Sequence, residues 1–140
     1  MNQVELQIVK LDSLIPSEPF GVVAKAMEAL DTTHANGQYR VQVIELPPNK
    51  SFEPHTHISE HVIYAIQGSG TVSIWGFDKK DEYIEIYRDS KKIYNFAKGD
   101  ILIIPKDCPH AFASSSEGLK EVIINIPGIA LHDHQRIVWI

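Results

Sequence analysis

The chain has 140 residues, about the length of one domain, and its 44% hydrophobic and 22% charged residues describe a globular protein, not a disordered, collagenous or coiled-coil chain. The formal net charge of −5 argues against nucleic acid as a partner, because binding phosphates needs a basic face. Apolar runs such as Ile101–Pro105 fall far short of the ~20 residues that span a bilayer, the first twenty residues lack the pattern of a secretory leader, and the only cysteine, Cys108, suits a reducing compartment, so a cytoplasmic protein with no membrane partner is expected.

In chain order, Val4–Leu11 alternates and predicts an edge strand. Phe20–Leu30 carries apolar residues at 22, 23, 26, 27 and 30, a spacing that predicts one short N-terminal helix. Asn36-Gly37 marks a turn. From there the grammar is β: Tyr39–Leu46 is a strand stopped by Pro47-Pro48-Asn49, and His61–Gln67 and Thr71–Phe77 flank Gly68-Ser69-Gly70, a hairpin signal. Asp78–Glu82 reads as a charged loop. Tyr83–Tyr87, Lys91–Phe96, Ile101–Ile104, Ala111–Ser114 and Glu121–Ile126 complete the set of short strands. Such punctuation predicts an all-β sandwich or barrel in a single domain spanning 1–140. The apolar end Ile137–Ile140 should pack on the domain or on a second copy. The pairs Lys79–Lys80 and Lys91–Lys92 read as solvated charge.

The seven histidines are unevenly placed. His55 and His57 are two apart, a spacing that puts both imidazoles on one side of a strand. His61 follows, and His110 comes just after Pro105-Lys106-Asp107-Cys108-Pro109. Imidazole is the commonest side-chain ligand of transition metals, so convergence of these four is a metal-site pattern. His34 reads as a loop residue, and His132 and His134 as a polar tail. Cys108 has no accompanying base pattern and is not read as a nucleophile.

Two stretches carry a family resemblance. PPNKSFEPHTHISEHVIYAIQGSG, from Pro47 to Gly70, resembles the first motif of the cupin superfamily, with His55, His57 and Gly68 at its spacing. GDILIIPKDCPHAFAS, from Gly99 to Ser114, resembles the second, with Gly99, Pro105 and His110 in place. The resemblance covers about 39–127 and leaves 1–38 as an N-terminal extension. Asn49 and Asp107 stand where the motifs have glycines, and both residue types tolerate left-handed backbone. Ser114 replaces a closing Asn. At the position of the family's ligand Glu stands His61, seven residues before Gly68, with Glu60 beside it. Alternation puts His61 on a face with Ile63, Ala65 and Gln67, and Glu60 with Val62 and Tyr64 on the other, unless the chain bulges.

The resemblance implies a double-stranded β-helix, the jelly-roll barrel, holding one divalent transition metal (iron, manganese, nickel, copper or zinc) on His55, His57, His61 and His110. It further implies a metal-dependent enzyme of dioxygenase type, with isomerases and lyases as relatives, acting on a small molecule. Four neutral ligands leave the 2+ charge uncompensated, which favours an anionic ligand. Tyr64, Trp75, Phe112, Arg40 and Gln42 are candidate pocket or supporting residues, as is His132. The alternative is a non-enzymatic module that binds a sugar or organic acid. A homodimer is the expected assembly.

Overall fold

The computed structural model describes residues 3, 6–16, 25–31, 33–128 and 135–140. Among them nine strands follow one another: β1 (Lys25–Leu30), β2 (Arg40–Leu46), β3 (Glu60–Ile74), β4 (Phe77–Lys79), β5 (Ile84–Ile86), β6 (Lys92–Ala97), β7 (Ile101–Ile104), β8 (His110–Ile126) and β9 (Ile137–Trp139). Three single 3-10 turns, Leu11–Ser13, His34–Gly37 and Arg88–Ser90, are the only helical pieces among the described residues. The main sheet runs β1-β2-β8-β3-β6, with β7 also paired to β3, and a small sheet runs β4-β5-β9. Except for β5 with β9, all pairings are antiparallel. This is the jelly-roll barrel the sequence implies.

Two long strands replace four expected short ones. β3 runs unbroken through Gly68-Ser69-Gly70, so no hairpin forms there. These glycines serve close approach instead of reversal: a Cβ on Gly68, whose φ is +79°, would lie 2.0 Å from the Gly118 carbonyl oxygen on β8. The ladder shifts register on either side, between Ala65 and Gln67 and between Gly68 and Gly70, and these bulges bend β3 so that it serves both halves of the barrel. They also turn Gln67 out of the face shared by His61, Ile63 and Ala65. Likewise β8 joins the segments expected at 111–114 and 121–126. Asp78 and Lys79, expected in a loop, belong to β4.

The predicted N-terminal helix is not formed where the chain is described. Residues 25–30 are β1, paired with β2, while 20–24 lie outside the described residues. Ala26 and Met27 are adjacent and both buried, because this strand is covered on both faces. Ala26 looks into the barrel opposite Ile44, and Met27 meets Val43 and forms a bridge with Pro16. A two-sided apolar strand has neighbouring apolar residues and so imitates helical spacing. The expected edge strand at 4–11 also fails over its described part. Residues 6–10 have no ladder partner, and Leu6 and Ile8 are 85% and 70% exposed.

The interior is built in rows, since residues opposed on neighbouring strands share a face. One row is Ala26, Ile44, Glu121 and Ala65; the next is Gln42, Ile123, Ile63 and Leu102; a third is Arg40, Asn125 and His61. A contiguous apolar core fills one part of the barrel, including Ile63, Phe96, Ile104 and Phe112. A separate cluster of Trp75, Ile84 and Ile86 packs under Trp139. The C-terminal apolar segment is therefore used within its own chain: β9 adds to β5, and the rings of Trp75 and Trp139 meet edge to face at 5.5 Å.

Candidate metal centre

The segment leading to His55 lies along the start of β8. The Phe52 amide donates to the Phe112 carbonyl at 2.9 Å, and His55 and His110 exchange both backbone hydrogen bonds, at 3.0 and 3.1 Å. That pairing fixes two imidazoles side by side, with ring centroids 4.4 Å apart. His57 lies in the loop that follows, not on a strand as its spacing predicts. It is held there by the Asp107 amide, which donates to its carbonyl at 2.9 Å. His61 is the second residue of β3, opposed to Ile104 and Asn125.

The donor atoms of His55, His57 and His110 lie within 4.8 Å of one another, so these three side chains could hold a metal ion. Two of the rings are oriented by acceptors that fix their tautomer. His110 Nδ1 lies 2.8 Å from the Cys108 carbonyl and His55 Nδ1 3.0 Å from the Glu53 carbonyl. A carbonyl only accepts, so each Nδ1 carries the proton and each Nε2 a lone pair, the state a metal ligand needs. His57 Nδ1 is 3.1 Å from Ser59 Oγ.

His61 stands beside this trio but outside the group whose donor atoms lie within 4.8 Å of one another. Its ring stacks on His57 with centroids 3.9 Å apart and planes 28° from parallel, and both its nitrogens are buried without a hydrogen-bond partner. Burial, then the neighbouring His57, His110 and His55 and the Arg40 charge, push its pKa far below the ordinary histidine value, so it is neutral. A buried imidazole with two unpartnered nitrogens costs free energy, and a cation at the nitrogen that carries the lone pair would remove part of that cost. The donor set therefore fits a divalent transition metal. Glu60, one residue earlier, points to solvent.

A polar shoulder adjoins the cluster. Arg40 is buried and makes a two-nitrogen ion pair with Glu28, and Gln42 accepts from Asn125 Nδ2 at 2.9 Å. Phe112 also lines this region, its ring 5.9 Å from that of His110. Two candidate pocket residues are displaced. Tyr64 stands on the outer face of β3, because it shares the parity of Glu60, and Trp75 belongs to the separate cluster beneath Trp139. His132 and His134 lie outside the described residues. His34 contacts the Tyr39 hydroxyl at 2.8 Å, and Cys108 is a buried free thiol whose pKa burial raises.

Sequence reading missed Glu28, Asn125 and Glu121. In 121–126 the alternation sets Glu, Ile and Asn against Val, Ile and Ile, and hydrophobicity alone would turn Val122, Ile124 and Ile126 inward. The barrel does the reverse: Glu121, Ile123 and Asn125 are buried, and the apolar set lies outside. Glu121 has no hydrogen-bond partner for either carboxyl oxygen, and burial raises its pKa to about 8.

A family model described as Cupin matches residues 18–131. The polyketide cyclase RemF from Streptomyces resistomycificus superposes with a TM-score of 0.71 at 18% identity, over 94% of this chain and 85% of that one. Oxalate decarboxylase from Bacillus subtilis, in a structure whose subject is its Mn(II) centres, gives 0.72 at 16% identity over 96% of this chain, which spans only 34% of that enzyme's length. At such identities the likeness shows the fold. A search of curated proteins finds no match to this chain.

Proposed function

The chain belongs to the cupin family, and from that premise we propose that it is a metal-dependent enzyme that holds one divalent transition-metal ion on His55, His57, His61 and His110 and acts on a small anionic organic molecule. The observation that supports this reading is the trio of His55, His57 and His110, whose donor atoms lie within 4.8 Å of one another, with buried His61, its nitrogens unpartnered, stacked on His57. Including His61 in the ligand set is part of the proposal, since the donor atoms within 4.8 Å of one another are those of His55, His57 and His110. An ion held there supplies Lewis-acid polarisation of a bound carboxylate or enolate and, where the metal is redox-active, one-electron chemistry with dioxygen. The protein's part is to bind and orient. Four neutral imidazoles leave the ion's charge uncompensated, Arg40 is balanced by its ion pair with Glu28, and buried Ile63, Ile104 and Phe112 keep the surroundings apolar.

A dioxygenase-type reaction is the first assignment. The names of the two structural neighbours, a cyclase and a decarboxylase, favour a second, in which the same polarisation drives a non-oxidative reaction. The protein loaded in turn with iron(II), manganese(II), nickel(II), copper(II) and zinc(II) is offered a panel of small keto, hydroxy and dicarboxylic acids, with oxygen uptake and product followed. Stoichiometric oxygen consumption supports the dioxygenase; turnover without oxygen supports the second reading. Tight binding with no turnover of any acid contradicts an enzyme and leaves a binding module.

We also assign a homodimer to the outer face of the main sheet. Ile101 and Ile103 on β7 are 66% and 65% exposed, and they lie opposite Tyr64 and Val62, which face Val122 and Ile124 in turn. An apolar sheet face of this extent needs a cover, and a second copy presenting the same face supplies one by two-fold symmetry. A cytoplasmic location belongs to the same reading and rests on the single unpaired cysteine. No helix among the described residues is long and apolar enough to cross a membrane.

A further inference from the structure

Asp107 departs from the motif it sits in, where a glycine is expected, and adopts the left-handed backbone of a glycine, φ +66°. A non-glycine residue there carries a conformational cost, yet its side chain is buried and engaged. The carboxylate receives Gln135 Nε2 at 2.7 Å and Lys79 Nζ at 3.2 Å. Its backbone is engaged as well: its amide donates to the His57 carbonyl, and its carbonyl accepts from the Thr56 hydroxyl. The Gln135 amide in turn donates to the Thr56 carbonyl at 3.0 Å. Lys79 ends β4 and Gln135 lies just before β9, so both come from the small sheet. Thr56 lies between His55 and His57, and Asp107 stands three residues before His110. Side chain and backbone of this one residue thus divide the work: the carboxylate takes hold of Gln135 and Lys79, while its backbone, with the Gln135 amide, ties in the loop of His55 and His57.

We propose that Asp107 is a positioning residue: with Gln135 and Lys79 it clasps the β4-β5-β9 sheet onto the two loops and holds His57 and His110 at metal-binding separation. The inference rests on the metal reading of the histidine cluster. A glycine at 107 keeps the backbone conformation and removes only the clasp, so Asp107→Gly separates the two roles of the residue. Losing a group that orients metal ligands typically weakens affinity by about 10–100-fold.

The test compares wild type with Asp107→Gly, Asp107→Asn and Gln135→Ala, measuring Zn(II) affinity by chelator competition and amide hydrogen exchange of 54–59 and 105–110 in the metal-free protein. Asp107→Gly is expected to bind Zn(II) roughly 10–100-fold more weakly and to exchange faster in both loops, while its melting temperature stays near that of wild type. Gln135→Ala should follow in the same direction. Asp107→Asn, which keeps an acceptor for Gln135, should recover most of the protection. Affinity and loop exchange in Asp107→Gly equal to wild type overturn the proposal. A wild-type protein that takes up no Zn(II) overturns the metal reading, and the exchange comparison then decides the clasp alone.

Discussion

His61 lies flat against His57, ring on ring at 3.9 Å, with neither of its nitrogens hydrogen-bonded. Two neutral imidazoles in this arrangement make one dispersion contact and leave two buried polar atoms unsatisfied, a balance that favours a ligand able to take the one lone pair of His61. The neighbouring carboxylate, Glu60, faces solvent on the opposite side of β3. His61→Ala should therefore lower the affinity for zinc(II) strongly, and Glu60→Ala should leave a stoichiometry near one, both read by metal analysis after dialysis. The reverse result would transfer the fourth position to Glu60.

Metal removal should be visible in stability. An ion present at 100 times its dissociation constant adds ~2.7 kcal/mol to the folded state, which for a domain of this size corresponds to roughly 10 °C in melting temperature. Chelation should lower the transition by about that much, and one equivalent of divalent ion should restore it. Identical melting curves from protein shown to have lost its metal would remove this contribution.

Glu121 makes stability depend on pH. Its folded-state pKa is raised to about 8 by burial, from an ordinary value of 4.5. The folded protein keeps the proton that the unfolded chain releases, so this group's contribution is complete below about 4.5, is lost progressively as pH rises, and levels off above about 8. The shift corresponds to something on the order of 5 kcal/mol. Glu121→Leu, which fills similar space beside Ile44 and Ala65, should gain stability over wild type at both pH values, because it removes an unpartnered buried carboxyl, and the gain should be larger at pH 8 than at pH 4.5 by a few kcal/mol. Denaturant unfolding at both pH values checks this, and an equal gain at both would reject the titration as the cause.

Much of the site could be read from residue spacing. Asn49 and Asp107 were expected to take glycine-like backbone, and their φ values are +58° and +66°. The count from Gly68 put His61 on the face of Ile63 and Ala65, where it is found. Other features were illegible for physical reasons. β1 is covered on both faces, which erases the strand period and leaves a helix-like one. Gly68 and Gly70 look like a turn locally, but the crowding that requires them comes from β8, some fifty residues later. Glu121 and Asn125 carry no inward signal, because hydrophobicity alone would turn Val122, Ile124 and Ile126 to the core, whereas this barrel places the polar groups within and the apolar set without.

That inverted alternation underlies the assembly prediction. Tyr64→Lys together with Ile103→Lys adds charge to the centre of the outer face without touching the interior, and should convert a dimer of about twice the 15.8 kDa chain mass into a monomer with metal affinity retained. Light scattering measures it. A wild-type mass of one chain across micromolar concentrations would rule the dimer out.

X-ray absorption on the purified, metal-quantified protein measures directly whether four imidazoles meet at one ion. The expected result is one divalent ion per chain with a first shell containing four imidazole nitrogens, falling to three in His61→Ala. A metal-free protein that binds no divalent ion, or a shell with two or fewer imidazoles, would contradict it.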